Sequence, residues 1–452
     1  MPDLSRRRFI TAATATAVTG TAIPAAALTN AAAPPAAPLP ASTLPTPTLS
    51  APALPAPETL RPDDEDGWRA VAAHYDVTDD VINLENGNWG IMARPVLEAY
   101  LNHTRMINRD NSYYTRRRYW PAYVAVLDAV AARLGAAREE VALTRGATEA
   151  LQNIIGGFNR LSPGDAVMYA DLDYGSIREA MRATAARAGC GAVALNVPEP
   201  ATHDGLIAFY RDALDRHPET RLLLLTHVSH RTGLVIPVRA IAREARARGV
   251  STVVDAAHSW GQIDFRVDDL DADFIGFNLH KWMGAPIGVG ALYIRRDRLG
   301  DISPNLSATD GEKDHIYGRV HSGTSNFAAF LTVPDAFAFH DAVGAAAKAA
   351  RLRYLRGIWT GLLSGTPGLD ILTPEDPRLH AGITSFRLTG VTGVDDNRRL
   401  AKRLLDEHGV FTVHRDGVAA GACIRVTPGL YNSADHMRRA AAGIRALVTA
   451  RS

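Results

Sequence analysis

The sequence predicts an α/β protein, with a mainly parallel, doubly wound sheet in a large domain and a smaller α+β domain after it. Two observations carry this. Between residues 141 and 295, short apolar runs rich in β-branched residues alternate with Ala/Arg-rich helical stretches, the pattern of repeated strand–helix units. Beyond a long helical region over 335–364 the order changes, with strands expected near 383–388, 410–414 and 423–426.

The elements follow in chain order. Ser5-Arg6-Arg7-Arg8-Phe9-Ile10 and an Ala/Thr/Val run to about Leu28 read as a Tat-type export signal over residues 1–30. The run is too weakly apolar for a stable membrane span, and no cysteine follows it to take a lipid. A destination outside the cytoplasm, periplasmic or extracellular, and contact with the Tat machinery are the corresponding expectations. Residues 31–58 are Ala/Pro-rich and predict an extended tether. Residues 59–110 form an N-terminal segment expected to pack with the small lobe at the mouth of the active site. The large domain is placed at 111–335, with strands at 166–170, 192–197, 222–226, 252–255, 274–277 and 289–294, and the small domain at 336–452.

Composition excludes several classes. The chain is 46% hydrophobic and 21% charged with a net charge of +1, enough for a sizeable core and without the basic surplus that nucleic acid requires. Cys190 and Cys423 are assigned to different lobes, so a disulfide is not favoured, and no Cys/His spacing suggests a metal site.

Lysine usage points to chemistry. Lys and Arg total 49, yet only Lys281, Lys313, Lys348 and Lys402 are lysines. Arg serves wherever charge alone is needed, but it cannot become a free amine and attack a carbonyl. Lys281, in Asn278-Leu279-His280-Lys281-Trp282 at the end of an apolar run, is therefore a candidate Schiff-base former. Upstream, Val253-Val254-Asp255-Ala256-Ala257-His258 reads as a buried parallel strand with Asp255 at its carboxyl end, where open α/β sheets place ligands. Thr144-Arg145-Gly146-Ala147-Thr148-Glu149 reads as strand, turn and helix start, whose backbone amides suit a phosphate. An amine, a buried acid and a phosphate cradle are the parts that pyridoxal phosphate requires.

These three segments resemble the signatures of class V aminotransferase-fold enzymes of pyridoxal-phosphate fold type I, and within them the isopenicillin N epimerase-like branch. The resemblance runs from about Asn83 to the C-terminus. It implies that Lys281 bonds the cofactor and shuttles a proton, and that Asp255 pairs with the pyridinium nitrogen. His258 would lie nearby or at the ring oxygen. Ala147 and Thr148 would hold the phosphate, with His280 as a further donor. Tyr174 resembles the aromatic that stacks on the ring; the alternative is an ordinary loop tyrosine. His230 falls where relatives often carry Asn, a departure that bears on ring electronics. Gly323 and Thr324 resemble a segment that reaches the partner subunit's cofactor phosphate, which implies a homodimer with shared sites. Arg425 resembles the arginine that grips a substrate α-carboxylate. Asn88 and Trp89, in Leu84-Glu85-Asn86-Gly87-Asn88-Trp89-Gly90, match a loop lining the substrate pocket, or form only an Asn-Gly turn.

The resemblance implies an enzyme acting on an amino acid or an amino-acid-containing metabolite through α-proton abstraction, as aminotransferase or epimerase, with a lyase as the alternative. A non-catalytic binding protein on the same scaffold has no use for Lys281 and Asp255 together. A sugar aminotransferase has none for a carboxylate-gripping Arg425. Desulfurases of this class carry a nucleophilic cysteine on a loop before the last lobe, and residues 302–324 contain none. Arg116-Arg117-Arg118 either lines the pocket or forms a solvated basic helix start.

Overall fold

The computed structural model describes residues 52–320 and 323–450. The expected export signal and residues 31–51 of the tether lie outside the described residues. The last part of the expected tether is already docked: the Pro52 carbonyl accepts from His74 Nε2 at 2.9 Å. Helix α1 (Glu65–Ala72) is capped by Asp64, whose side chain accepts from the Gly67 amide, and it buries Trp68 and Val71. Strand β1 (Ile82–Asn83) leads into the loop at 84–90, and helices α2 (Arg94–Arg117) and α3 (Tyr119–Leu134) follow. Arg116, Arg117 and Arg118 are exposed at the end of α2, outside the lining of the cleft described below.

Residues 141–294 alternate strands and helices as their sequences require: β2 (Val141–Thr144), α4 (Ala147–Gly157), β3 (Ala166–Ala170), α5 (Gly175–Ala188), β4 (Gly191–Leu195), α6 (His203–Arg216), β5 (Thr220–Thr226), α7 (Val238–Ala247), β6 (Ser251–Asp255), α8 (Val267–Leu270), β7 (Phe274–Asn278) and β8 (Gly290–Ile294). The sheet runs β2-β8-β7-β6-β5-β3-β4. Only β8 is antiparallel, against both β2 and β7. Successive residues face opposite sides, so Leu223, Leu225, Val254, Ile275 and Phe277 join one core layer while Leu222, Leu224, Val253 and Phe274 join the other. Both faces are covered by helices, which explains why these strands read as unbroken apolar runs. The carboxyl ends of β2, β3, β5, β6 and β7 all lie on one side of the sheet.

The rest of the chain comprises α9 (Phe327–Leu331), α10 (Val333–Val343), α11 (Ala345–Leu363), β9 (Leu369–Ile371), β10 (Thr384–Leu388), α12 (Val394–His408), β11 (Val410–Phe411), β12 (Val413–Arg415), β13 (Cys423–Val426) and α13 (Ala434–Thr449). An antiparallel sheet of order β12-β13-β10-β9 packs against α12, and shares an apolar cluster with α11 and α13 through Trp359, Phe386, Ile424 and Met437. The long helix expected over 335–364 is broken at Gly344, whose φ of +86° is outside the helical range and suits glycine alone. The single strand expected at 410–414 is two. Val410–Phe411 pairs in parallel with β1, and Val413–Arg415 pairs with β13. The N-terminal segment is thus stitched to the C-terminal lobe, and Glu85 continues the contact by bridging to Thr427.

Candidate active site

A cleft of about 620 Å³ opens at the carboxyl ends of the strands. It gathers Ala147, Thr148, Tyr174, His230, Asp255, His258, His280, Lys281, Asn88 and Arg425 from segments far apart in sequence. Three expected residues are not in its lining. Trp89 is 49% exposed beside it, and Gly323 and Thr324 are exposed elsewhere on the same chain.

Lys281 follows the end of β7. Its Nζ lies 2.9 Å from His258 Nε2. Burial pushes the lysine pKa down to about 8; Asp255 opposes the shift, and Arg425 and Arg415 add to it. His258 is neutral, its pKa held well below the ordinary range by burial and by the neighbouring cations Lys281, Arg425 and Arg415. Asp255, at the end of β6, accepts from the Ala257 amide at 2.9 Å. Burial raises its pKa, so this carboxyl holds a proton more readily than a solvated one.

Tyr174 immediately precedes α5; the residue is 43% exposed and lines the cleft, its ring edge-on to His230 with centroids 5.2 Å apart. Its loop is anchored by Asp173, which accepts from the Ala170 amide at 2.7 Å and from Thr226 Oγ1 at 2.7 Å. His230 is half-buried and neutral, and its Nδ1 is buried without a protein partner.

The helix start of α4 needs one correction. Ala147 lines the cleft, but its amide is already taken, donating to Asn278 Oδ1 at 2.7 Å. The amides that follow lack an intrahelical acceptor by their position in the first turn, so the donor set begins at Thr148. Asn278, a residue that sequence reasoning did not assign, ties this helix to the strand that carries Lys281. Gly146 makes the approach possible: a Cβ on it would meet Asn278 Oδ1 at 3.0 Å and His280 Cε1 at 3.2 Å.

Arg425 also differs from expectation. It projects from β13 into the cleft wall and is 1% exposed, but its Nη2 already donates to both oxygens of Glu85, at 2.6 and 2.7 Å. Nη1 donates to the His230 carbonyl at 2.7 Å. Arg415 shares the same carboxylate at 3.1 Å. Two guanidiniums against one carboxylate leave a single positive charge facing the cleft. The Nε atoms of both arginines are buried without partners. Glu85 and Arg415 were not assigned from sequence; Glu85 stands in the quoted loop motif, yet only the β1–β11 pairing shows that it turns toward Arg425. Gly90 closes this loop against the lysine: its amide donates to the His280 carbonyl at 2.8 Å, and a Cβ would lie 2.0 Å from the Lys281 carbonyl oxygen.

The Aminotransferase class-V profile matches residues 96–438. The chain belongs to the class V aminotransferase family. Among relatives of this family member, isopenicillin N epimerase of Amycolatopsis lactamdurans is 28% identical over 403 residues, covering 84% of this chain and 98% of the relative. A putative L-cysteine desulfhydrase 1 of Oryza sativa subsp. japonica is 31% identical over 350 residues, covering 73% of this chain and 71% of the relative. Among solved structures, a C-DES mutant with glycine covalently linked to the PLP cofactor superposes with a TM-score of 0.68 at 22% identity, covering 80% of this chain and 96% of that one. Pyridoxal phosphate is the family's cofactor, and the residues here fit it. Lys281 offers a buried amine of lowered pKa, Asp255 a buried carboxyl, and the start of α4 a phosphate cradle.

Proposed function

We propose that this class V enzyme acts at the α-carbon of an amino acid, or of a metabolite containing one, as an aminotransferase or epimerase. One observation supports this above the rest: Lys281, Asp255 and the Arg425–Arg415 pair converge on one cleft. Pyridoxal phosphate, when bound, supplies an aldehyde for the substrate amine and a ring that draws electrons from the α-carbon. Every other part falls to the protein. Lys281 Nζ, whose pKa burial lowers to about 8 so that a fraction is free amine at physiological pH, takes the α-proton and returns it. Asp255 would keep a proton at the ring nitrogen. His258 orients the lysine amine through the 2.9 Å contact. The arginine pair, with its one uncompensated charge, binds one substrate carboxylate. Tyr174, at the wall of the cleft, would cover the cofactor ring and limit water.

Elimination is the second reading, favoured by the 31% identity to the putative cysteine desulfhydrase. A cysteine-nucleophile desulfurase reading has less support. Cys423 is buried, its pKa pushed up to about 11 by burial, and it is not among the cleft residues. The test is to incubate the loaded enzyme with a panel of amino acids and assay three products in parallel. Inversion at the α-carbon, or oxo-acid formation that needs an added oxo-acid acceptor and releases no ammonia, supports the proposal. Ammonia or sulfide release alongside the oxo acid replaces it with the lyase reading.

A further inference from the structure

Trp282 follows the lysine in sequence, and its indole turns back onto His258. Its Nε1 lies 3.4 Å from His258 Nδ1, while the other nitrogen of that ring, Nε2, faces Lys281 Nζ at 2.9 Å. An indole N–H can only donate. Nδ1 must therefore accept, and a neutral imidazole that accepts at Nδ1 carries its proton on Nε2. The ring is held neutral by burial and surrounding cations. Its Nε2–H then points at the lysine nitrogen, where it finds a lone pair only when the amine is unprotonated. The opposite arrangement, an ammonium donating to Nε2, moves the imidazole proton to Nδ1. There it would meet the indole N–H, donor against donor.

We propose that Trp282 is a positioning residue that fixes the tautomer of His258 and thereby keeps Lys281 in the free-amine form that captures the cofactor. The inference rests on Lys281 being the capturing amine. In that step the nitrogen lone pair forms a bond to the aldehyde carbon of pyridoxal phosphate. The aldehyde oxygen leaves as water with the two N–H protons. An ammonium has no lone pair for this step, so the tautomer of His258 sets how much enzyme is competent.

The other charged groups around the pair act in both directions. Asp255 and Glu85 favour the ammonium, and Arg425 and Arg415 oppose it. His230 and His280 also border the lysine and are neutral, their pKa values lowered mainly by burial. Asp255 is near enough to favour the charged amine, and the Trp282–His258 contact works against it. Trp282 also packs in an apolar cluster with Val343, Leu352 and Leu430, so a packing role must be separated from a tautomer role.

The experiment follows capture of pyridoxal phosphate by the cofactor-free protein, by absorbance, across a pH series. In the wild type the rate rises with pH with a midpoint near 8, as the lysine loses its proton. Trp282→Phe removes the N–H and moves the midpoint up by about one unit, slowing capture at neutral pH roughly tenfold. Replacing Trp282 by 3-benzothienylalanine, which keeps the ring shape and lacks the N–H, gives the same shift if packing is intact. In a His258→Gln background, whose amide can turn to offer either donor or acceptor, Trp282→Phe leaves the midpoint in place. An unmoved midpoint in both Trp282 variants overturns the proposal, as does an equal shift in the His258→Gln background. Lys281→Ala distinguishes the underlying reading. Capture that persists at the wild-type rate without Lys281 overturns the lysine assignment and this inference with it. Lysine-dependent capture with an unmoved midpoint overturns the tryptophan role alone.

Discussion

Glu85 gives the arginine pair its character. A guanidinium buried beneath the cleft with no counter-charge would carry a large desolvation cost, and Glu85 offsets it through two bonds to Arg425 and one to Arg415. The same carboxylate competes with any substrate carboxylate for the Arg425 fork. Glu85→Gln keeps the shape and removes the competing charge, so the KM for monocarboxylic amino acids should fall by roughly tenfold. Arg425→Ala should raise it by roughly a hundredfold, since the uncompensated charge that draws the substrate carboxylate is lost. Steady-state kinetics on both variants decides the matter. A KM that rises in Glu85→Gln would instead make Glu85 a direct contact to a cationic substrate group.

At the scale of elements, what the sequence revealed and what it hid have different physical origins. Strands buried on both faces are unbroken apolar runs, so β3, β5, β6 and β7 fall where hydrophobicity places them. Lys281 and Asp255 were legible because strand ends in such sheets carry function and because lysine is rare here. Asn278, Glu85 and Arg415 were not, because each acts through a partner more than a hundred residues away that only the fold brings near. The break at Gly344 was hidden in an alanine-rich stretch that reads as one helix. Helix α11 carries a further consequence. It buries Lys348, which donates to the Trp282 carbonyl, and burial alone lowers its pKa to about 7. Unfolded, the amine keeps its proton to about pH 10.4. Between these values the unfolded chain binds one more proton than the folded one, so stability rises with pH across that window. His340, which faces Lys348, has a pKa pushed down to about 2 and stays neutral throughout. Lys348→Met should be more stable than wild type near pH 7.5, by on the order of 2 kcal/mol, and lose that advantage by pH 9.5. Chemical denaturation at the two pH values tests it; a difference that does not vary with pH would contradict it.

At the scale of the whole molecule, a single chain leaves Gly323 and Thr324 exposed and outside its own cleft. We propose that they complete the cleft of a second copy, and sedimentation of the purified protein should give twice the chain mass. A monomer that binds cofactor normally would remove that role. No helix among the described residues is long and apolar enough to cross a membrane. We further propose export through the twin arginines Arg6 and Arg7. Cell fractionation with both changed to Lys should leave the protein inside the cell, and unchanged export would refute the signal. We propose that this fold serves to hold a reactive lysine just past the carboxyl end of β7. The measurement closest to it is the absorbance spectrum of the protein loaded with pyridoxal phosphate, wild type beside Lys281→Ala, before and after borohydride. A visible band that borohydride abolishes is expected in the wild type, and none in Lys281→Ala. The same borohydride-sensitive band in both proteins, or none in either, would contradict it.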